Sequence, residues 1–390
     1  MGYSHRRMSR PTSPVPSSSN VASRLHRRAR VASYALGALV AGCAGAGVDA
    51  GNETSNSSVI SRPEPEPKPE PKPEPAAPPQ LPEQWPGNGS TSCVNHENED
   101  PSITKFQYDE NTFIFRENKC LNFEANFIYL LFGRDKVFMQ DTGSIPQAFG
   151  SGAAGLARFA RAFPIRETVE ATIAEWLAAH PNEDGTPRTR DSIELLVTHS
   201  HSHGDHVQGD YQFRGPDGAP FPGTRIAGLR PADVASFFGL GNWPNESATL
   251  DLGDRKLEIL PIPGHEASHV AVYDHGSKLL LSGDSLYPGH LFVRDWATYR
   301  ASMKRLKTFM LERTRDGAEA RPVHYVLGTH IEKPPEARKF YRYGSWIQEP
   351  ERKLELLGSH VVLLADETER LGPVSPRREI PYDDFAIDAM

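Results

Sequence analysis

The chain has 390 residues, of which 38% are hydrophobic and 24% charged, so it holds one large domain or two ordinary ones. The longest apolar run, residues 31–42, is about half as long as a membrane-spanning helix requires, which excludes a polytopic membrane protein. The net charge is -7, yet residues 1–42 contain seven arginines and no acidic residue, which leaves -14 on the rest of the chain. This acidic body argues against a nucleic-acid partner, because nucleic-acid binding requires a basic face.

The first 43 residues are predicted to be an export signal. Basic residues between His26 and Arg30 precede the apolar run, which is the order found in secretory signal peptides. The run ends in Val-Ala-Gly-Cys43, which resembles a bacterial lipobox, where the cysteine is lipidated and becomes the new N-terminus. We therefore expect an exported lipoprotein, anchored through Cys43 on the periplasmic side of a membrane or at the cell surface. Ala44 after the cysteine favours the outer membrane. The alternatives are a cleaved signal with an incidental cysteine and a disordered basic arm.

Residues 44–104 are predicted to be a disordered linker rich in Pro, Glu and Lys. Within it, residues 62–75 alternate proline with charge, and such a segment has nothing to bury and too few backbone donors for a helix or sheet. It is expected to be an extended polyproline II spacer of ~3.1 Å per residue, and a proline-rich ligand for a partner domain is the alternative. Cys93 and Cys120 are either a disulfide, which an oxidising compartment allows, or two free thiols.

Residues 105–390 are predicted to form one α/β domain, since the composition becomes globular from about Phe106. Apolar runs of β-forming residues predict strands at Ala125–Gly133, Lys136–Gln140, Ile193–Thr198, Arg225–Gly228, Lys256–Pro261, Val270–Tyr273, Lys278–Leu281 and Val323–Leu327. Helical periodicity predicts helices at Ile165–Ala179, Ala297–Arg313 and Glu351–Glu369.

Four of the 15 histidines fall within eight residues, directly after the predicted strand that ends at Thr198. The segment reads His199-Ser-His201-Ser-His203-Gly-Asp205-His206. Histidine is the commonest metal ligand, and a neighbouring carboxylate suits a divalent cation. This concentration predicts a metal site and disfavours a solvated histidine-rich tract, with His199 as a structural residue at the strand end.

Five motifs of the chain resemble those of the metallo-β-lactamase superfamily and occur in the order found in that family. They span roughly residues 106–335. The His-x-His-x-Asp-His pattern of residues 201–206 is similar to the first metal motif of that family. The other four are the Asp141-Thr-Gly element, the turn Pro263-Gly-His265, the segment Ser282-Gly-Asp284 and Leu327-Gly-Thr-His330.

The resemblance implies a four-layered αβ/βα sandwich, in which two mixed β-sheets are flanked by helices. It also implies two zinc ions, with iron or manganese as alternatives. By resemblance His201, His203 and His265 hold the first metal, Asp205, His206 and His330 hold the second, and Asp284 bridges them. Asp141 is expected either to orient the ligand loop from behind or to be a structural turn. His269 is not expected to bind metal.

The implied chemistry is hydrolysis of a small-molecule ester, thioester, lactone, lactam or phosphodiester by a hydroxide that two metals share. Asp205 is the predicted catalytic residue, because it would hold the second metal and orient the hydroxide. The ligand set is similar to those of the glyoxalase II, lactonase and phosphodiesterase branches. Gly328-Thr-His330-Ile-Glu departs from the corresponding glyoxalase II element, which argues against glutathione. The alternatives are a non-hydrolytic iron enzyme of the same fold, such as a sulfur dioxygenase, and an inactive metal-binding protein.

Overall fold

The computed structural model describes residues 77–89, 100–145, 149–150 and 152–390. A six-stranded sheet in chain order comprises β1 (Ile103–Asp109), β2 (Thr112–Glu117), β3 (Phe127–Phe132), β4 (Lys136–Gln140), β5 (Glu194–Thr198) and β6 (Thr224–Ile226). Its first four strands are antiparallel, whereas β4, β5 and β6 run parallel.

A second sheet, in the order β12-β10-β9-β8-β7, faces the first. Its strands are β7 (Ala248–Asp251), β8 (Lys256–Pro261), β9 (Val270–Asp274), β10 (Leu279–Gly283) and β12 (Tyr325–Gly328). Only β10 and β12 pair in parallel. A small third sheet, which was not predicted, joins β11 (His290–Val293), β13 (Glu379–Pro381) and β14 (Ala386–Ala389).

Six α-helices accompany the sheets within the described ranges: α1 (Ala153–Ala162), α2 (Ile165–Ala179), α3 (Gly204–Val207), α4 (Pro231–Phe238), α5 (Trp296–Met310) and α6 (Gly358–Leu371). The predicted bounds of α2 are those observed, and α5 begins after Asp295, whose carboxylate accepts a hydrogen bond from the Thr298 amide. No helix among the described residues combines the length and apolarity that crossing a bilayer requires.

Three hydrophobic cores show that these elements form four layers. One core lies between the two large sheets, where Leu196 of β5 meets Leu281 of β10. Another packs the outer face of the first sheet on α1 and α2, and the third packs the second sheet on α5 and α6. Because both faces of β3 are covered, its sequence Phe-Ile-Tyr-Leu-Leu-Phe is apolar throughout. The predicted αβ/βα sandwich is confirmed.

The domain begins earlier than the predicted linker boundary at residue 104. Residues 77–89 lie on the domain, and Trp85 is only 2% exposed, with edge-to-face contacts to Phe106 and Phe127. Strand β1 also starts before the boundary. Leu81 and Trp85 are buried, and they attach to the domain a segment that is otherwise largely exposed. Cys120 is disulfide-bonded. Cys93 lies outside the described residues, so its pairing with Cys120 stays a prediction.

The predicted helix Glu351–Glu369 was wrong in its first two turns, because α6 starts at Gly358. Glu351 is buried and receives two hydrogen bonds from the Arg116 guanidinium, at 2.7 and 2.6 Å. Leu356 exchanges backbone hydrogen bonds with Val326 at the edge of β12. These two long-range partners hold residues 351–357 extended, where local periodicity favoured a helix.

We expect Trp85→Ala to lower the free energy of unfolding by about 3–5 kcal/mol, because it opens a large cavity in a packed core. Denaturant titration of the full chain measures this change. The matched control is Trp346→Ala, since Trp346 is 43% exposed and its removal should change stability by no more than about 0.5 kcal/mol. Equal stability of the two variants would show that residues 77–89 contribute nothing to the folded domain.

Candidate metal centre

The motifs converge because the strands that precede them end at one edge of the sandwich. In the first sheet, β4 and β5 run parallel, so Asp141 and the histidine segment after Thr198 are neighbours. In the second sheet, β10 and β12 are parallel, and β8 points the same way because it is antiparallel to β9. The ends of β8, β10 and β12 therefore bring His265, Asp284 and His330 to the same edge.

The structure places all seven predicted ligands in two groups whose potential ligand atoms lie within 4.8 Å of one another. The first group is His201, His203, His265 and Asp284, and the second is Asp205, His206, Asp284 and His330. Five of the seven residues are at most 7% exposed, whereas His203 and Asp205 are partly exposed, and the side chain of Asp205 is the most open in the second group at 21%. The predicted residues thus meet in space.

Three imidazole nitrogens of the first group form a small triangle. His201 Nε2 lies 2.8 Å from His203 Nδ1 and 3.2 Å from His265 Nε2, and the third edge is 3.0 Å. A tetrahedral zinc ion with Zn–N bonds of about 2.0–2.1 Å requires nitrogens about 3.3 Å apart. The triangle is therefore close to the size that a zinc ion requires.

The hydrogen bonds behind the histidines direct lone pairs into the centre. His265 Nδ1 donates to the Phe292 carbonyl at 2.6 Å, and His330 Nδ1 donates to the Glu124 carbonyl at 2.9 Å. Since a carbonyl oxygen only accepts, the proton of each ring is fixed on Nδ1 and Nε2 faces the cluster. The Nε2 atom of His206, which faces Asp284, is buried without a hydrogen-bond partner. This donor set fits a divalent cation.

Asp284 is the only described residue that belongs to both groups. Its Oδ2 lies 3.6 Å from His265 Nε2 and 3.4 Å from His206 Nε2, and its Oδ1 lies 3.3 Å from His330 Nε2. The Thr329 hydroxyl donates to Oδ1 and fixes the carboxylate. The position is that of a bridge between the two groups.

The two halves of the centre differ in their affinity for protons. Burial lowers the pKa of His203 to about 4, and burial together with His206 holds the pKa of His201 well below its usual range. Burial acts in the same direction on His206 and His330, but the carboxylates of the second group outweigh it and raise both pKa values well above normal. The first half therefore presents neutral imidazoles, and the second half attracts positive charge.

Asp141 lies behind the ligands, as the first of its two predicted roles requires. Its Oδ2 accepts from His206 Nδ1 at 3.0 Å, and its Oδ1 accepts from the Ser200 amide at 2.7 Å. The Ser200 hydroxyl joins Asp141 to the His201 ring, with 3.0 Å to each. A carboxylate on the far nitrogen of a ligating histidine fixes its orientation and raises its basicity.

Two glycines in the motifs are required by close packing. A Cβ at Gly264, where φ is +135°, would lie 2.4 Å from the Tyr299 Cα, and one at Gly283, where φ is +52°, would lie 2.3 Å from His269 Nε2. Neither backbone conformation suits an L side chain. These glycines let the turns that carry His265 and Asp284 approach their neighbours.

Several supporting groups could not be found from the sequence. Ser200 and Thr329 adjoin motif histidines, but nothing in the sequence shows where their hydroxyls point, and the Glu124 and Phe292 carbonyls lie far from the ligands in the chain. His199 binds Asp210 at 2.8 Å. His269 hydrogen-bonds Ser285 at 2.9 Å, and it belongs to neither group.

The four-layered αβ/βα sandwich and the cluster of histidines and aspartates at its edge together define this domain as one with a candidate metal site. Residues 153–313 match the family model of the metallo-beta-lactamase superfamily. Over these residues the chain is similar to that superfamily.

Two kinds of curated relative are similar over part of their length. The acyl-coenzyme A thioesterase MBLAC2 of Bos taurus is 30% identical over 132 residues, which is 27% of this chain and 45% of the relative. A hydroxyacylglutathione hydrolase of Aeromonas hydrophila is 32% identical over 115 residues, 29% of this chain and 41% of the relative. The chain thus matches less than half the length of these two relatives. Among solved structures, a metallo-beta-lactamase from Pontibacter korlensis is 16% identical with a TM-score of 0.37, over 68% of this chain and 99% of that one.

Proposed function

We propose that this protein is a metal-dependent hydrolase with two divalent cations, one in each ligand group. The observation that carries the proposal is the position of Asp284 within reach of both groups. A carboxylate between two cations reduces their mutual repulsion. Histidine and carboxylate ligands without cysteine favour zinc, with iron or manganese as alternatives.

The proposed substrate class is a thioester or a related activated ester. The thioesterase and the acylglutathione hydrolase among the relatives both act, by their names, on an acyl group carried by sulfur. When bound, the cations would supply a water of lowered pKa as nucleophile and a Lewis acid for the carbonyl oxygen that gains charge.

The role proposed for Asp205 follows from its position and exposure. Its Oδ2 lies 2.9 Å from His206 Nε2 and 3.5 Å from His330 Nε2, so it completes the second ligand group. Its side chain is 21% exposed, against 0% and 3% for those two histidines. Asp205 is therefore the member of this group that reaches incoming water and substrate, and its carboxylate can accept a hydrogen bond that orients the attacking water.

Purified full-length protein is expected to bind about two divalent metal ions per chain, as two ligand groups imply. Asp284→Ala should lose at least one of them, because it removes a ligand from both groups. Elemental analysis after dialysis measures both stoichiometries and identifies the metal. Asp210→Ala is the matched control, since Asp210 lies outside both groups. One tightly bound metal that Asp284→Ala leaves in place would rule out the bridging role.

Asp205→Asn should lower kcat for thioester hydrolysis by on the order of 10²-fold, because the amide keeps the shape of the side chain but loses its charge. Binding of the second metal should weaken in parallel. The measurement is steady-state hydrolysis by zinc-loaded protein, together with metal content. In the competing interpretation Asp205 only stabilises the first turn of α3, where asparagine would be almost neutral. Near wild-type turnover with both metals retained would support that interpretation and contradict ours.

We further propose that Cys43 carries a lipid anchor, which the basic residues, the short apolar run and the cysteine at its end support. Cys43→Ser is then expected to move the protein from the membrane fraction of the expressing bacterium to a soluble fraction, because the acyl chains are lost. Fractionation and immunoblotting measure the distribution. Cys93→Ser controls for the loss of any cysteine. Attachment that survives Cys43→Ser would make the apolar run itself the anchor.

A further inference from the structure

A row of aromatic side chains includes one residue that supports the metal centre and another that adjoins such a residue. Phe292 supplies the carbonyl that holds His265, and Phe123 precedes Glu124, whose carbonyl holds His330. These carbonyls serve different ligand groups. The backbone at Phe292 and that at Glu124 therefore adjoin different ligand groups.

Tyr343 contacts both phenylalanines. Its ring lies edge-to-face with Phe292 at 5.4 Å and with Phe123 at 5.5 Å, measured between ring centroids. Trp346 extends the row, with its ring 6.1 Å from that of Phe123. We call these four residues the aromatic row. The Tyr343 hydroxyl donates to the Glu124 carboxylate at 3.3 Å, which ties the row to the rim of the metal centre.

The side chains at the outer end of the row are apolar and yet exposed to solvent. The described part of the chain has nine large hydrophobic side chains that are exposed, and three of them, Tyr343, Trp346 and Ile347, fall within five residues. Tyr343 is 56% exposed. Apolar surface concentrated beside a polar site marks a place where an apolar group binds.

The loop that carries Tyr343 and Trp346 is held in place from behind. The Gln348 amide donates to the Gly89 carbonyl at 3.3 Å, and the Gly89 backbone packs so closely that a Cβ there would lie 1.8 Å from the Trp346 carbonyl oxygen. Within the loop, the Ser345 amide donates to the Arg342 carbonyl at 3.0 Å. A preformed wall binds a ligand without first paying for its own ordering.

We propose that the aromatic row is the subsite for the acyl group of the substrate, and that it selects apolar acyl groups, aromatic or medium-chain alkyl. This inference rests on the proposed function, since the scissile carbonyl is taken to sit at the metal centre. An acyl chain that starts at the centre then extends along the row towards Trp346. The Glu124 carboxylate borders the row and disfavours an acyl group that ends in a second carboxylate.

A protein partner is the competing occupant, and the size of the surface argues against it. A stable protein interface buries roughly 1,200 Å² or more in total, which three exposed side chains do not provide. The surface of three side chains is enough to contact a small acyl group. The row also adjoins the metal centre through Glu124, which binds the Tyr343 hydroxyl and, by its carbonyl, His330, so one small substrate can contact both.

The test compares thioesters of N-acetylcysteamine that share one leaving group and differ in the acyl group: acetyl, hexanoyl, phenylacetyl and succinyl. With zinc-loaded full-length protein, kcat/KM should be about 10–100-fold higher for hexanoyl and phenylacetyl than for acetyl, as burial of an apolar group predicts. Succinyl should be no better than acetyl. Trp346→Ala should remove at least about tenfold of the hexanoyl preference while acetyl turnover changes less than about threefold.

Matched variants separate a subsite from a structural role. Tyr343→Phe should keep the preference and Tyr343→Ala should lose it, whereas Leu363→Ala, which removes another exposed side chain on α6, should change neither. Equal loss of acetyl and hexanoyl turnover in Trp346→Ala would overturn the proposal. So would a wild-type protein that does not distinguish acyl groups, or an oligomer that Trp346→Ala dissociates in sedimentation experiments.

A binding measurement distinguishes failure of this inference from failure of the proposed function. The probe is the hexyl thioether of N-acetylcysteamine, which lacks the carbonyl and cannot be hydrolysed. Calorimetry should show that wild-type protein binds it at least about tenfold more tightly than Trp346→Ala does, with or without zinc. Absence of thioester turnover with this binding retained would overturn the hydrolase and leave an apolar ligand subsite. Turnover without any thioether binding would overturn the subsite alone.

Discussion

The carboxylate of Asp284 lies among the imidazoles of both ligand groups, and its place depends on how two strands of the second sheet pair. Strands β10 and β12 run parallel and end with Gly283 beside Gly328, so that Asp284 and Thr329 emerge together and the threonine hydroxyl fixes the carboxylate. A buried carboxylate is tolerated only with compensating partners. Burial would raise the pKa of Asp284, but the surrounding histidines hold it well below its usual range. The rest of the centre is arranged around this one charge.

The first sheet contributes the other half of the centre, so the site exists only where the two sheets are packed face to face. The shared core places the end of β5 opposite the end of β10. The two halves differ in the ligand atoms that they contain. The first sheet and the β8 turn bring three neutral nitrogens together, and the second group collects carboxylates beside two histidines. The two adjacent groups therefore differ in their affinity for protons.

Parts of the chain outside the sandwich shape the approach to the centre. Residues 77–89, the third sheet and the loop after β12 each contribute: Gly89 supports the loop of Trp346, and β11 carries Phe292. The buried Arg116–Glu351 pair joins β2 to the extended segment before α6 and so holds the end of that loop. Breaking such a pair leaves an unpaired buried charge, which is strongly destabilising. The scaffold and the proposed acyl subsite are therefore one continuous structure.

Periodicity in the sequence predicted the strands that are apolar on both faces and the helix α2, because it is a local property. The layered fold and the seven residues that the structure brings together were implied by the resemblance of five motifs to a known family. Strands β1 and β2 were not predicted, and β2 buries Arg116, whose charge is compensated by Glu351, 235 positions along the chain. The start of α6 was missed because Glu351 and Leu356 have partners far along the chain, and the attachment of residues 77–89 was missed because it depends on the packing of Trp85 on Phe106 and Phe127. The carbonyls that orient the histidines come from elsewhere in the chain: Phe292 is 27 positions from His265, and Glu124 is 206 positions from His330. Only the tertiary packing brings these residues within hydrogen-bonding distance.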